Sequence, residues 1–316
     1  MKIGRLGVNI LKWHNVRAYI KRRKLYPPHG QFLERLDIPY INDGNVNHKF
    51  DLYYGDRDKK KNVCILYIHG GSYIFGEHQD SYWYALTFLK EGYDFISLDY
   101  IPNDGKRSVK DSLDDIYKNI NCVLSHQKEL NIEGDNYVIA GDSAGGHFAL
   151  LFAEAMTNND VAKKLGYSFP DVKVIAALLS CPVYDFEDMN VGNAYLNNSG
   201  LKRLFGPTYN DKELFRLVSP RTYINELEVP LFVNTCKQDF LREQSLLIQS
   251  DLKDRDLLFE LVDINTDEKG IGHVHNVLGP EREKSIEVNN AAMAFIEKAS
   301  KLKRKKKKID KEKVEL

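Results

Sequence analysis

The sequence predicts an α/β fold, a mostly parallel central sheet flanked by helices and carrying a small cap. Three observations predict it. Short apolar runs such as Val63–Ile68, Asp94–Leu98 and Leu231–Thr235 lack polar alternation, which marks strands buried on both faces. Amphipathic stretches separate those runs, as crossover helices over a parallel sheet would. The chain has 316 residues, 43% of them hydrophobic and 28% charged, enough to bury such a core without disulfides or metals.

The elements follow in order. Ile3, Leu6, Ile10, Trp13 and Arg17 recur at steps of three and four, so residues 1–24 form a helix that Pro27-Pro28 ends. Ile38–Ile41 and Lys49–Tyr54 flank Asn42-Asp43-Gly44 as a hairpin. Val63–Ile68 runs into His69-Gly70-Gly71, and Asp94–Leu98 into Asp99-Tyr100. Asp111–Ser125 is an amphipathic helix; Tyr137–Ala140 is a short strand, and Gly141 opens a turn into a helix over His147–Met156. Strands at Val172–Leu179, Leu231–Thr235 and Leu257–Asp263 follow, with helices at Leu241–Leu252 and Ser285–Ala299. Asp185–Glu228 is mixed and rich in Asn and Tyr, and fits a lid or cap insertion. The expected division is a helical segment over 1–37, an α/β body over 38–299 and a basic tail over 300–316.

Charge is segregated. Residues 1–25 carry eight basic and no acidic residues, and residues 301–316 carry nine basic and three acidic. The body between them carries 28 basic and 42 acidic residues, which argues against a nucleic-acid groove. The two basic ends are candidates for contact with an anionic membrane surface, the alternatives being a cap helix and a solvated tail. Cys64, Cys122, Cys181 and Cys236 are widely spaced, without a CxxC or Cys/His cluster; Cys64, Cys181 and Cys236 lie in or beside apolar runs and read as small buried hydrophobes. No stretch reaches the length of a membrane span, and Lys12, His14 and Arg17 interrupt the apolar N-terminus. A reduced cytoplasmic protein is the expectation.

The chemistry centres on Gly141-Asp142-Ser143-Ala144-Gly145, a G-x-S-x-G motif between an apolar strand and a helix. That context makes a sharp turn that exposes Ser143, with the following helix N-terminus facing any negative charge that develops. His69-Gly70-Gly71-Ser72 ends an earlier strand, and its glycines let backbone N–H groups approach an oxyanion. A serine nucleophile needs a base, and the base an orienting carboxylate. Asp239 lies just past a later strand, with Asp185 as the runner-up. Past the last strand, Gly270-Ile271-Gly272-His273-Val274-His275 offers two histidines as the base. His147 reads as a packed or capping group.

These motifs resemble the hormone-sensitive-lipase-type carboxylesterases of the α/β-hydrolase superfamily. The matching residues are His69-Gly70-Gly71, Asp99-Tyr100, Gly141 through Gly146, Asp239-Phe240-Leu241-Arg242-Glu243 and Gly272-His273, within a span of about 38–299. The resemblance implies Ser143, Asp239 and His273 as the catalytic triad, and Gly70, Gly71 and Ala144 as oxyanion donors. It places His275 on a position that is usually aromatic, and Ser72 where a third glycine or alanine is usual. The implied activity is hydrolysis of carboxylic esters, without metal or organic cofactor; the net-acidic body suits neutral esters, and the small, weakly apolar segment 185–228 suits short to medium acyl chains. Acylaminoacyl peptidases and arylformamidases share the serine motif, and a non-catalytic binding module on the same fold is the rival outside enzymes.

Overall fold

Val63–Ile68 (β3) shows why the sheet forms: Cys64, Leu66 and Ile68 point into one core layer, and Val63, Ile65 and Tyr67 into the other. All six are buried, as the apolar run predicts. The computed structural model describes residues 4–186 and 198–302. Its sheet also contains β1 (Glu34–Pro39), β2 (Lys49–Tyr53), β4 (Asp94–Leu98), β5 (Asn136–Asp142), β6 (Lys173–Ser180), β7 (Leu231–Cys236) and β8 (Phe259–Ile264). The eight strands run in the order β1-β2-β4-β3-β5-β6-β7-β8. β1, β2 and β4 pair antiparallel, and every pairing from β4 to β8 is parallel. The C-terminal ends of β3, β5, β6 and β7 therefore open on one edge, where loops from four strands can meet.

Helices cover both faces. One layer holds α3 (Val109–Ser125) and α4 (Ala144–Thr157), through residues such as Leu113, Ile120, Phe148 and Leu151. The other holds α2 (Tyr82–Leu89) and the closing helix α10 (Glu283–Ser300), through Leu86, Phe88, Val288 and Phe295. α3 begins two residues before the expected Asp111. Ser108 caps it: its hydroxyl accepts the Asp111 N–H at 3.2 Å, and the Asp111 carboxylate accepts the Ser108 N–H at 2.6 Å. α1 (Arg5–Arg23) agrees with the expected N-terminal helix.

Two readings are corrected. The first hairpin strand lies at Glu34–Pro39 rather than Ile38–Ile41. It has no buried residue to set its register; an irregularity between Arg35 and Ile38 and the Asp37 N–H donated to Asp51 at 2.7 Å set it instead. α2 was not anticipated, because Tyr82, Tyr84, Ala85, Leu86, Phe88 and Leu89 are all buried and leave little polar face to show a period.

The expected insertion at 185–228 is helical where it is described: α6 (Asn198–Phe205), α7 (Lys212–Val218) and a 3₁₀ segment over Pro220–Glu226. Residues 187–197 of it, and the basic tail from 303 onward, lie outside the described residues. α6 packs against α1: the Arg5 N–H donates to Ser199 Oγ at 3.0 Å, and Arg203 Nε to Asn9 Oδ1 at 2.7 Å. α5 (Asn159–Leu165), α8 (Arg242–Leu252) and α9 (His275–Leu278) complete the described helices. Among the described residues, no helix is long and apolar enough to cross a membrane.

Candidate active site

Ser143 sits between β5 and α4 at φ +52°, ψ −118°, a conformation that a side-chain-bearing residue adopts only when its surroundings impose it. The surroundings do so. Its N–H donates to Ser180 O at the end of β6 at 2.8 Å, and the Val183 N–H donates to Ser143 O at 3.3 Å. At Gly145 an added Cβ would lie 2.1 Å from Ile68 O, so α4 can approach β3 only through a glycine.

Three loops converge on this serine. His273 Nε2 lies 2.9 Å from Ser143 Oγ, and His273 Nδ1 lies 2.6 Å from Asp239 Oδ1. Asp239 is buried and also accepts the Leu241 N–H at 2.9 Å and the Thr235 hydroxyl at 2.7 Å. Burial pushes its carboxyl up, but the hydrogen bond and charge of His273, with these two donors, outweigh burial and hold it below the usual range. The Phe240 ring lies 4.2 Å from the His273 ring, centroid to centroid, and is itself exposed. The expected nucleophile, acid and base thus occupy one hydrogen-bonded line.

The alternatives lie elsewhere. Asp185 is paired with Arg221 Nη1 at 2.9 Å and accepts no bond from His273 among those described. His275 is buried, with Nδ1 3.0 Å from Ser285 Oγ; burial and the nearby Arg282 charge push it down to about 4. His147 is a packed group, Nε2 2.7 Å from Val218 O and Nδ1 3.2 Å from the Tyr73 hydroxyl, and burial lowers it to about 4.

One expected oxyanion donor is corrected. The Gly70 N–H is spent on Asp142 Oδ1 at 2.8 Å, an oxygen that also accepts the Tyr67 hydroxyl at 2.5 Å. The side chain of the residue before the serine therefore claims the first glycine. Among the described residues, no hydrogen-bond acceptor meets the N–H of Gly71, of Ser72 or of Ala144. Gly71 has φ +124°, and a Cβ there would fall 1.8 Å from Phe75 O. Behind this loop, His69 stacks on Tyr100 at 4.4 Å and contacts Asp99 at 3.1 Å, and Asp99 also takes His78 Nδ1 at 2.8 Å.

The sequence marks Cys181 only as a small buried group. Its Sγ accepts the Val274 N–H at 3.2 Å, and burial, with the charge of Asp239 adding to it, pushes its thiol pKa up and keeps it protonated. The usable signal was its place, directly after the strand next to the nucleophile. Cys181, Asp239 and His273 come within 4.8 Å of one another, the one described set near enough to share a metal. Two of its members already serve each other and Ser143.

The sheet, the serine turn and the order Ser143, Asp239, His273 define an α/β hydrolase. Within that class the chain belongs to the BD-FAE family, whose sequence pattern matches residues 50–252. It is 27% identical over 209 residues to the probable carboxylic ester hydrolase LipM of Mycobacterium tuberculosis, covering 65% of this chain and 48% of that protein. It is 26% identical over 215 residues to endo-1,4-beta-xylanase B of Butyrivibrio fibrisolvens, covering 65% of this chain and 32% of that protein. The matched regions thus take in half or less of these longer relatives. Among solved structures, esterase B from Lactobacillus Rhamnosis shares the fold with a TM-score of 0.81 and 18% identity, covering 93% of this chain and 94% of that one. The esterase of Pyrobaculum calidifontis shares it with a TM-score of 0.69 and 21% identity, covering 92% and 94%.

Proposed function

We propose that the chain is a serine hydrolase that cleaves neutral carboxylic esters of short to medium acyl chain. The observation that carries this reading is the line Ser143 Oγ, His273 Nε2 and Asp239 Oδ1, at 2.9 and 2.6 Å, beside backbone N–H groups that meet no acceptor among the described residues.

The steps follow from that geometry. Ser143 Oγ attacks the acyl carbon while His273 Nε2 takes its proton. Asp239 accepts from Nδ1, fixes the tautomer that leaves Nε2 free, and stabilises the imidazolium that forms. The N–H groups of Ala144, Gly71 and Ser72 receive the oxyanion, with α4 contributing its positive end. The alcohol leaves with the proton from His273. Water then attacks the acyl-enzyme by the same route, and the acid departs. The names of the relatives support an ester as the substrate: LipM is a probable carboxylic ester hydrolase, and esterase B was crystallised with a tributyrin phosphonate inhibitor. The net-acidic body disfavours strongly anionic esters.

A panel of p-nitrophenyl esters from acetyl to palmitoyl tests the proposal. Turnover should peak at short to medium chains. Faster cleavage of palmitoyl than of butyryl esters would overturn the chain-length part, and no turnover on any member would overturn the whole.

A further inference from the structure

α1 has two apolar faces, and the fold uses only one of them. On the inner face Val8, Val16 and Tyr19 pack against Ile74 and Phe75, in the loop that begins at Gly71 and Ser72. Arg22 and Arg23 are tied down from the same helix: Arg23 Nε donates to Asp80 at 2.7 Å, and Arg22 Nη2 to the Asp80 carbonyl at 3.2 Å. The outer face carries Leu6, Ile10, Trp13 and Ile20, exposed by 74%, 57%, 58% and 51%. Their spacing of four, three and seven puts them in one stripe along the helix. Arg17 fills the remaining place in the stripe, its guanidinium carbon 4.3 Å from the Trp13 ring centre. Four large apolar side chains this exposed in one line are more than a scatter of surface residues.

Charge says what this stripe meets. The first 25 residues hold no acidic group, and Arg5, Arg17, Lys21 and Lys24 are exposed with the stripe. A second copy would bring the same uncompensated positive charges against each other. Residues 26–300 carry 14 more acidic than basic groups, so an anionic surface repels the body and attracts α1. Large apolar groups among basic ones, on a helix that lies along the molecule, suit the boundary between headgroups and acyl chains. We propose that the outer face of α1 docks the protein on an anionic phospholipid bilayer. Docking through this face sets the bilayer against the helix whose inner face holds the loop of Gly71 and Ser72. The proposal concerns binding and stands whether or not Ser143 hydrolyses esters.

The test is co-sedimentation of the full-length chain with phosphatidylcholine vesicles, with and without phosphatidylserine. Binding should require phosphatidylserine and weaken as salt rises. Trp13→Asp, and separately Leu6→Ser with Ile10→Ser, should each cut partitioning by at least about tenfold. Their side chains point outward, so circular dichroism and the melting temperature should stay as in wild type. A third variant, with Lys303 and Lys305 through Lys308 changed to Gln, should keep most of its binding. Failure of the wild-type chain to pellet would overturn the proposal, as would binding lost only in the tail variant. A concentration-dependent dimer in sedimentation velocity that Trp13→Asp abolishes would assign the stripe to a second copy instead.

Discussion

The sulfur of Cys181 accepts the backbone N–H of Val274 at 3.2 Å, which ties the end of β6 to the residue that follows His273. Both residues are left-handed, at φ +49° and +51°. For β-branched Val274 that conformation is costly, and the sulfur is what it gains there. Through that bond Cys181 holds the residue next to His273, and a positioning role for His273 is the consequence to test.

Cys181→Ala should lower kcat by about tenfold with KM little changed, because a displaced His273 affects the transition state more than substrate binding. Cys181→Ser keeps a small acceptor and donor and should recover most of the loss. Steady-state kinetics on a short-chain ester, at a temperature where both variants are folded, decides it. Equal rates for Cys181→Ala and wild type would remove the positioning role.

The two loop histidines should separate cleanly. His273→Ala should cost several orders of magnitude in kcat, the usual scale for losing a triad base. His275→Ala should leave kcat within a small factor but lower the melting temperature, since it empties a buried site packed on Ser285. The reverse pattern would mean that the base is His275.

The two candidate acids should separate too. Asp239→Asn should lower kcat by orders of magnitude with similar KM, because the amide favours the wrong imidazole tautomer. Asp185→Asn should leave kcat nearly intact and weaken the tie between Asp185 and Arg221 within the insertion. Loss of kcat in Asp185→Asn alone would contradict the geometry.

Stability should fall as pH rises from neutral. His78 is buried, which lowers its pKa, but Asp99, Asp51 and Asp37 face it and raise it to about 8 overall. A raised histidine stabilises the fold fully below its unfolded value near 6.5 and loses that contribution as pH climbs through 8. His69 is raised by the same Asp99 despite its burial and acts in the same direction. Asp99 is lowered, so its own contribution is lost only at acid pH, outside this window. A shift from 6.5 to about 8 corresponds to about 2 kcal/mol. Urea melts between about pH 6.5 and pH 9 should show a decline that His78→Asn reduces. Equal pH slopes for the two proteins would contradict this account.

The parallel strands were legible in the sequence because burial on both faces leaves an uninterrupted apolar run, and β3, β5 and β6 each have one. The serine turn was legible because Gly145 and Ser143 meet a local steric demand. The fate of Gly70 was not, because its N–H is claimed by the Asp142 side chain across two strands, a contact that exists only after folding. α2 was hidden for the opposite reason to most helices, being apolar nearly all round. The choice between His273 and His275 lay beyond the local pattern, since both follow the same strand within one glycine-flanked loop.

The central claim is that Ser143 is the nucleophile. A p-nitrophenyl alkylphosphonate, which traps a serine hydrolase by phosphonylating its serine, tests this most directly when followed by peptide mass mapping. Stoichiometric release of p-nitrophenol and one adduct, on the peptide carrying Ser143, are expected, both absent from Ser143→Ala together with ester turnover. An adduct on any other residue, or hydrolysis by Ser143→Ala near the wild-type rate, would contradict it.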